Sequence, residues 1–194
     1  MPETNAKPGR GSLIVRPLLA GMVAAGAAAP VAAPAADDVF LNIPGILGES
    51  TDSKHKNEIV LLSYSQSFTN PVTGGGGAST GKVNCGAVKV TKVVDKSSPL
   101  LIAGVATGKH YTTAVITFRK AGEQPLEYYT VTLTDVLLDA ITQTDASPAD
   151  ATTILEQVSI SAAKFKFEYR PQKADGSPGT SVTFGWDCAA NKRL

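Results

Sequence analysis

Two histidines, two cysteines and one glycine-rich run ending in lysine are the side chains of this chain with the plainest capacity for chemistry. His55 sits in the polar stretch Ser50–Asn57, with Glu49, Asp52 and Glu58 close by in sequence. A metal site needs several N, O or S donors converging in fixed geometry, and neighbours on one polar loop do not supply that. A solvated loop histidine is the expectation there. His110 follows the glycine that closes a predicted helix and precedes a strand, which suits a surface or hinge residue. Neither histidine has a marked nucleophile: G-x-S-x-G is absent, and neither cysteine sits in a catalytic pattern. The run Gly76–Lys82 fits G-x-x-x-x-G-K, but Val83 stands where the magnesium-binding hydroxyl belongs. A strand follows it rather than a helix whose N-terminus would hold phosphate, so the match carries no mechanism. Glu123 and Glu127 flank Pro125, and Asp135 and Asp139 share one apolar-rich strand. Neither pair shows the two carboxylates across a cleft that glycoside hydrolysis requires. No catalytic residue, cofactor or metal site is expected.

The elements that would carry these side chains are strands. From Asp38 onward the apolar period is two. Strands are predicted over 38–43, 58–68, 83–94, 111–120, 126–139, 157–170 and 180–188, separated by turns rich in glycine and proline. The 157–170 strand changes phase: Val158, Ile160 and Ala162 lie on one face, while Phe165, Phe167 and Tyr169 are out of step. A bulge or sharp bend near Ala162 or Ala163 would turn the aromatic rings inward. One helix is predicted from Pro99 to about Thr107. Ser98 suits its N-cap, Pro99 its first position, and Gly108 a left-handed close. Leu100, Leu101, Ile102, Val105 and Ala106 leave it no polar face, so it should be covered on most sides. Ser147 and Pro148 could begin one more helical turn, though the β-branched residues after them oppose a longer helix. The fold class is mainly β: an antiparallel β-barrel or two-sheet sandwich with one short α-helix packed on its side.

Residues 1–36 differ in composition from the rest. Lys7, Arg10 and Arg16 precede an uncharged run from Leu18 to Ala29, then an Ala/Pro tract ending in Ala33-Pro34-Ala35. Positive flank, short apolar run and A-x-A site are the parts of a secretory signal, with cleavage near Ala33, Ala35 and Ala36. The other reading is a disordered Ala/Pro-rich tail. The run is too short for stable membrane insertion. Residues 37–194 form the folded domain. Over the whole chain the charges nearly cancel, 18 basic against 17 acidic, and no basic stripe offers nucleic acid a footing. Cys85 and Cys188 are the two cysteines of the chain. An exported chain can keep them as a disulfide; a reducing cytoplasm would leave two small, partly buried thiols. Both readings stand.

The stretch Thr91–Leu101, TKVVDKSSPLL, resembles the TK-x-x-D-x-x-SP-x-L stretch of the Hcp family, the tube proteins of bacterial type VI secretion. DVFLNIPGILGESTDSKHKNEIVLLSYSQS from Asp38 is similar to the family's opening strand, Gly-Glu-Ser loop and second strand. AVITFRK, EYYTVTLTDVLLD and LEQVSISAAKFKFEYRP resemble its later strands, in the family's order. The resemblance implies a compact β-barrel with a helix on its side. It also implies a non-enzymatic subunit that assembles as homohexameric rings stacked into a tube, with sheath, spike and effector proteins as partners. Subunits are expected to meet through strand edges and polar loops. Such a protein is itself secreted. A cleaved signal would instead send the chain through general secretion to the periplasm or exterior, as a ring-forming or binding protein.

Overall fold

The computed structural model describes residues 37–71, 81–121, 125–145 and 153–194. The signal-like segment with Ala33, Ala35 and Ala36, most of the glycine-rich run including Gly76, Glu123, and the turn at Ser147 and Pro148 lie outside the described residues. Residues Pro34–Leu194 cluster as one unit, and the description below concerns that unit.

Alternating apolar residues fold into strands, eleven among the described residues, with one helix; the predicted run 58–68 is broken into three strands and 83–94 into two, while the strand from Leu126 runs on to Asp145. In chain order these are β1 (Asp38–Asn42), β2 (Ile59–Leu61), β3 (Ser63–Ser65), β4 (Phe68–Thr69), β5 (Asn84–Cys85), β6 (Val88–Val93), α1 (Ser98–Thr107), β7 (His110–Lys120), β8 (Leu126–Asp145), β9 (Ile154–Tyr169), β10 (Val182–Asp187) and β11 (Lys192–Arg193). Every pairing is antiparallel. β2 pairs with β1, β1 with β7, β7 with β8, β8 with β9, β9 with β6, and β6 with β3. Only Leu62 separates β2 from β3, and its backbone N–H donates to the Thr91 carbonyl at 2.7 Å. The circuit of pairings therefore returns to its start, so the architecture is a barrel rather than a sandwich. Its interior is filled by Leu41, Ile59, Val88, Val90, Ala114, Ile116, Val131, Leu133, Val158 and Ile160, all essentially without exposure. Closure leaves few backbone groups on open edges.

β8 and β9 are long enough to serve two parts of the sheet. The first half of β9 pairs with β6 up to Ile160, and the second half pairs with β10 from Lys164 onward. The expected phase change falls at this exchange of neighbours, and its form is shared. On β9 the buried positions run Val158, Ile160, then Phe165; on β8 they run Val131, Leu133, then Val136 and Leu138. Leu133 pairs with Phe165, Val136 with Ala162 and Leu138 with Ile160, so Asp135 and Ala163 face each other where both strands change phase. Because both spend one extra residue at one level, the register between them survives. Asp135 takes φ +56°, a left-handed conformation that turns the strand sharply. The irregularity in register lies further along, between Leu138 and Ala140 of β8. Phe165 is buried and Phe167 partly so, but Tyr169 stands out in solvent beyond the turn.

The helix forms where its residues predict, and Gly108 closes it at φ +59°, ψ +36°. Two expectations about it need correction. Ser98 is not the N-cap: Ser97 holds that position, without a side-chain capping bond, and Ser98 is the first helical residue. Its hydroxyl is instead engaged by buried charges, described below. Nor is the helix covered on most sides. Leu101 has no exposure, whereas Leu100 is 47% and Ile102 41% exposed. A ten-residue helix lying on a barrel wall touches it along one stripe, here Ser98, Leu101 and Gly104. Successive residues are about 100° apart, which turns Leu100 and Ile102 away on either flank. Gly104 marks the closest approach, since a Cβ there would lie 2.7 Å from the Tyr111 hydroxyl and 2.8 Å from Leu138 Cδ1.

Candidate functional site

Taken one by one, the reactive side chains are absorbed into structural roles. His55 is not solvated, as its loop position led us to expect; it is 6% exposed. Its ring stacks on Phe40 at 4.3 Å, its Nδ1 lies 3.0 Å from Glu58 Oε2, and its Nε2 lies 3.6 Å from Glu127. Phe40 points outward from β1, and the loop 49–58 folds over it. Arg119 approaches the same ring at 5.0 Å and donates to Asp38 at 2.9 Å; its other terminal nitrogen lies 2.7 Å from Asp52. The Lys54 backbone N–H and this guanidinium hold the Asp52 carboxyl down at about 2. Phe40 thus anchors a loop that hydrophobic alternation alone would leave in water.

His110 is exposed and lies 3.2 Å from Asp135. Asp139 accepts a bond from the Ser161 hydroxyl at 2.6 Å. Lys82 reaches the Ala189 carbonyl at 3.5 Å, and β5 follows within two residues. Among the described residues no cluster of His, Cys, Asp or Glu has the geometry to hold a metal ion.

The conspicuous sequence stretch around the helix builds a buried polar cluster. Lys92, 1% exposed, directs its Nζ to Glu156 Oε2 and Asp95 Oδ1, both at 2.8 Å, and to the Ser98 hydroxyl at 3.0 Å. Ser98 donates to Glu156 Oε2 at 2.6 Å and accepts from the Asp95 backbone N–H at 3.0 Å. Gln143 donates to the other Glu156 oxygen at 2.7 Å. Burial pushes the carboxyls of Glu156 and Asp95 upward, but the hydrogen bonds and the lysine charge outweigh it. Both end below their ordinary range. Lys, Asp and Ser of that stretch therefore bind β6, α1 and β9 into one body. Glu156 lies 61 residues beyond Asp95, and its matching role has no local signal in the sequence.

The surface exposes apolar side chains at Leu47, Val60, Leu62, Leu100 and Ile102, and in two groups at the ends of β9. At its start lie Ile154 and, adjoining it through the Val94 backbone bond to the Ile154 carbonyl at 3.0 Å, Val93 and Val94, all exposed. At its far end, Tyr169 pairs with Val182, and Val182, Phe184 and Leu194 are exposed, Val182 at 67%. Beside them an apolar groove of about 260 Å³ is lined by Phe68, Val83, Phe184 and Trp186. A strand rises about 3.3 Å per residue, so β9 sets these two surfaces some 50 Å apart along the chain, less the bend. Near the second surface, Cys85 and Cys188 are joined by a disulfide, with Cα atoms 6.2 Å apart and 103 residues between them in sequence.

Comparison with known proteins gives this geometry a context. The family model described as "Type VI secretion system effector, Hcp" matches residues 40–169, from within β1 to the end of β9. The chain is 40% identical over 158 residues to Protein hcp1 of Pseudomonas aeruginosa, covering 79% of this chain and 96% of that one. It is 30% identical over 95 residues to the Major exported protein of the same species, covering 47% of this chain and 55% of that one. The crystal structure of Hcp1 from Salmonella typhimurium superposes with a TM-score of 0.70 at 35% identity, covering 82% of this chain and 99% of the other.

Proposed function

Because the chain belongs to the Hcp family of type VI secretion proteins, we propose that it is a ring-forming subunit of the secretion tube and is itself exported. The observation that carries the reading is the family match across residues 40–169, which takes in all of the barrel circuit but the first two residues of β1. The surface is consistent with it. Two unlike apolar surfaces at opposite ends of β9 are what a head-to-tail contact needs, with one surface of each copy meeting the other surface of the next. Where the rotation closes, such contacts make rings; six members, and stacking of rings into a tube, follow the family's pattern. Sheath, spike and effector proteins are the partners this role entails. Export is supported by the likeness to a relative named for being exported. The job is mechanical, and no reaction is assigned to the chain.

The test uses the full chain. Light scattering and electron microscopy across micromolar to millimolar concentration should show closed rings. Val182→Asp and Ile154→Asp should each shift the population toward monomer, and mixing the two variants should give dimers, since each keeps one intact surface. A monomer at every concentration would overturn the ring. The mature N-terminus bears on the route: an intact Met1 in exported protein fits type VI export, whereas a start at Ala36 or Asp37 fits general secretion.

A further inference from the structure

We infer that the Cys85–Cys188 pair is a redox-set lock on the C-terminal edge of the barrel, open as two thiols in the cytoplasm and closed after export. Its dependence on compartment rests on the export reading above; its mechanical effect does not.

The first observation is that both cysteines are held in place by bonds other than their own. Cys85 lies on β5, paired with Phe68 of β4, and the next backbone N–H, that of Gly86, donates to the Ser67 carbonyl at 2.8 Å. The Cys188 backbone N–H donates to the Ala163 carbonyl on β9 at 2.8 Å. Between the two segments, the Val83 N–H donates to the Asn191 side-chain oxygen at 3.0 Å, and Lys82 reaches the Ala189 carbonyl. These contacts juxtapose residues 82–85 with 188–191 without help from sulfur. A pair of thiols 6.2 Å apart at their Cα atoms can then close or open with little backbone movement. The barrel circuit includes neither β5 nor β10, so its core does not require the bond.

The second observation is what the bond ties together. β10 pairs fully with β9 on one side, but on the other only Trp186 and Asp187 pair with the two-residue β11. β4 and β5 make only a two-residue ladder with each other. These are the weakly held elements of the described fold, and opening of such elements is governed by local rather than global stability. The disulfide connects one to the other at the end of β10, whose exposed Val182 and Phe184 belong to one of the two apolar surfaces. Redox state therefore sets how firmly that surface is held.

Closure balances with a low-molecular-weight disulfide such as oxidised glutathione as the oxidant. One cysteine thiolate attacks a sulfur of that disulfide, forming a mixed disulfide and expelling a thiolate. The second cysteine thiolate then attacks the protein sulfur of the mixed disulfide and expels the other thiolate. Two electrons and the two thiol protons pass to the oxidant, which leaves as two thiols. Cytoplasmic thiols run the exchange in reverse.

The experiment compares hydrogen exchange by mass spectrometry in the oxidised full chain, the chain reduced with dithiothreitol, and the Cys85→Ser/Cys188→Ser variant. In the last two, exchange at residues 182–194 and 84–85 should quicken by about tenfold or more, while residues 131–138 of the core keep their protection. Adding oxidised glutathione to the reduced chain should restore slow exchange and consume both thiols. Unchanged exchange at the C-terminal edge, or loss of core protection in the reduced chain, would overturn the lock. Thiol alkylation of cytoplasmic and exported protein from producing cells should find two thiols in the first and none in the second. The same state in both pools would overturn the dependence on compartment. A chain that never leaves the cell would count against export, and the exchange comparison would still decide the lock.

Discussion

Replacing Lys92 with methionine tests the account of the buried cluster most directly. The substitution keeps the length of the stem and removes the charge. Lys92 is 1% exposed and Glu156 has no exposure, so water cannot screen what remains. Glu156 would retain the Ser98 and Gln143 hydrogen bonds but lose the cation at 2.8 Å, leaving an uncompensated buried carboxylate. Breaking a buried pair from one side costs about 3–5 kcal/mol. At about 2–4 °C per kcal/mol for a chain of this size, the melting temperature should fall by roughly 6–20 °C. Removing the stranded carboxylate as well, in Lys92→Met/Glu156→Gln, should recover much of the loss. The cycle should report a coupling of about 0.5–3 kcal/mol between the two sites. The pH dependence has a definite sign. Glu156 and Asp95 titrate below their ordinary values of 4.5 and 3.8 in the folded chain. Their contribution is present above those ordinary values and is lost as pH falls through the depressed folded ones. Without Lys92, only the Ser98 and Gln143 hydrogen bonds oppose burial at Glu156, so its carboxyl rises from its depressed position and the gap between variant and parent should narrow toward acid pH. Urea midpoints at pH 7 and pH 4, at one fixed protein concentration, measure both effects. A cost below about 1 kcal/mol at pH 7, or a double variant no better than the single, would refute the reasoning.

Two further outcomes concern the helix. Leu101→Ala should cost about 2–5 kcal/mol by urea denaturation, while Leu100→Ala and Ile102→Ala should stay within about 0.5 kcal/mol, because of these three only Leu101 is buried against the barrel. Gly104→Ala places a methyl against the Tyr111 hydroxyl and Leu138, and should cost about 1–3 kcal/mol by overpacking although alanine is the better helix former.

What the sequence by itself determines here is periodic and local. Alternation marks the strands of the barrel because successive side chains on a strand face opposite sides, and a strand with one buried face cannot hide a change of phase. The break before Phe165 is therefore readable, as is the helix ended by Gly108, whose left-handed conformation favours a residue without Cβ. The motif from Thr91 to Leu101 and the ordered segments around it carry the family resemblance. Tertiary structure decides what depends on residues remote in sequence. Ser98 looks like a cap until Glu156, 58 residues away, claims its hydroxyl. His55 looks solvated until Phe40 offers a ring to stack on and Arg119 crosses from β7. The side of α1 left bare, and the closure of the barrel through Leu62, follow from how strands meet rather than from their own patterns. Cys85 and Cys188 become neighbours because β9 exchanges β6 for β10 midway along its length, an event encoded in no single stretch of the chain.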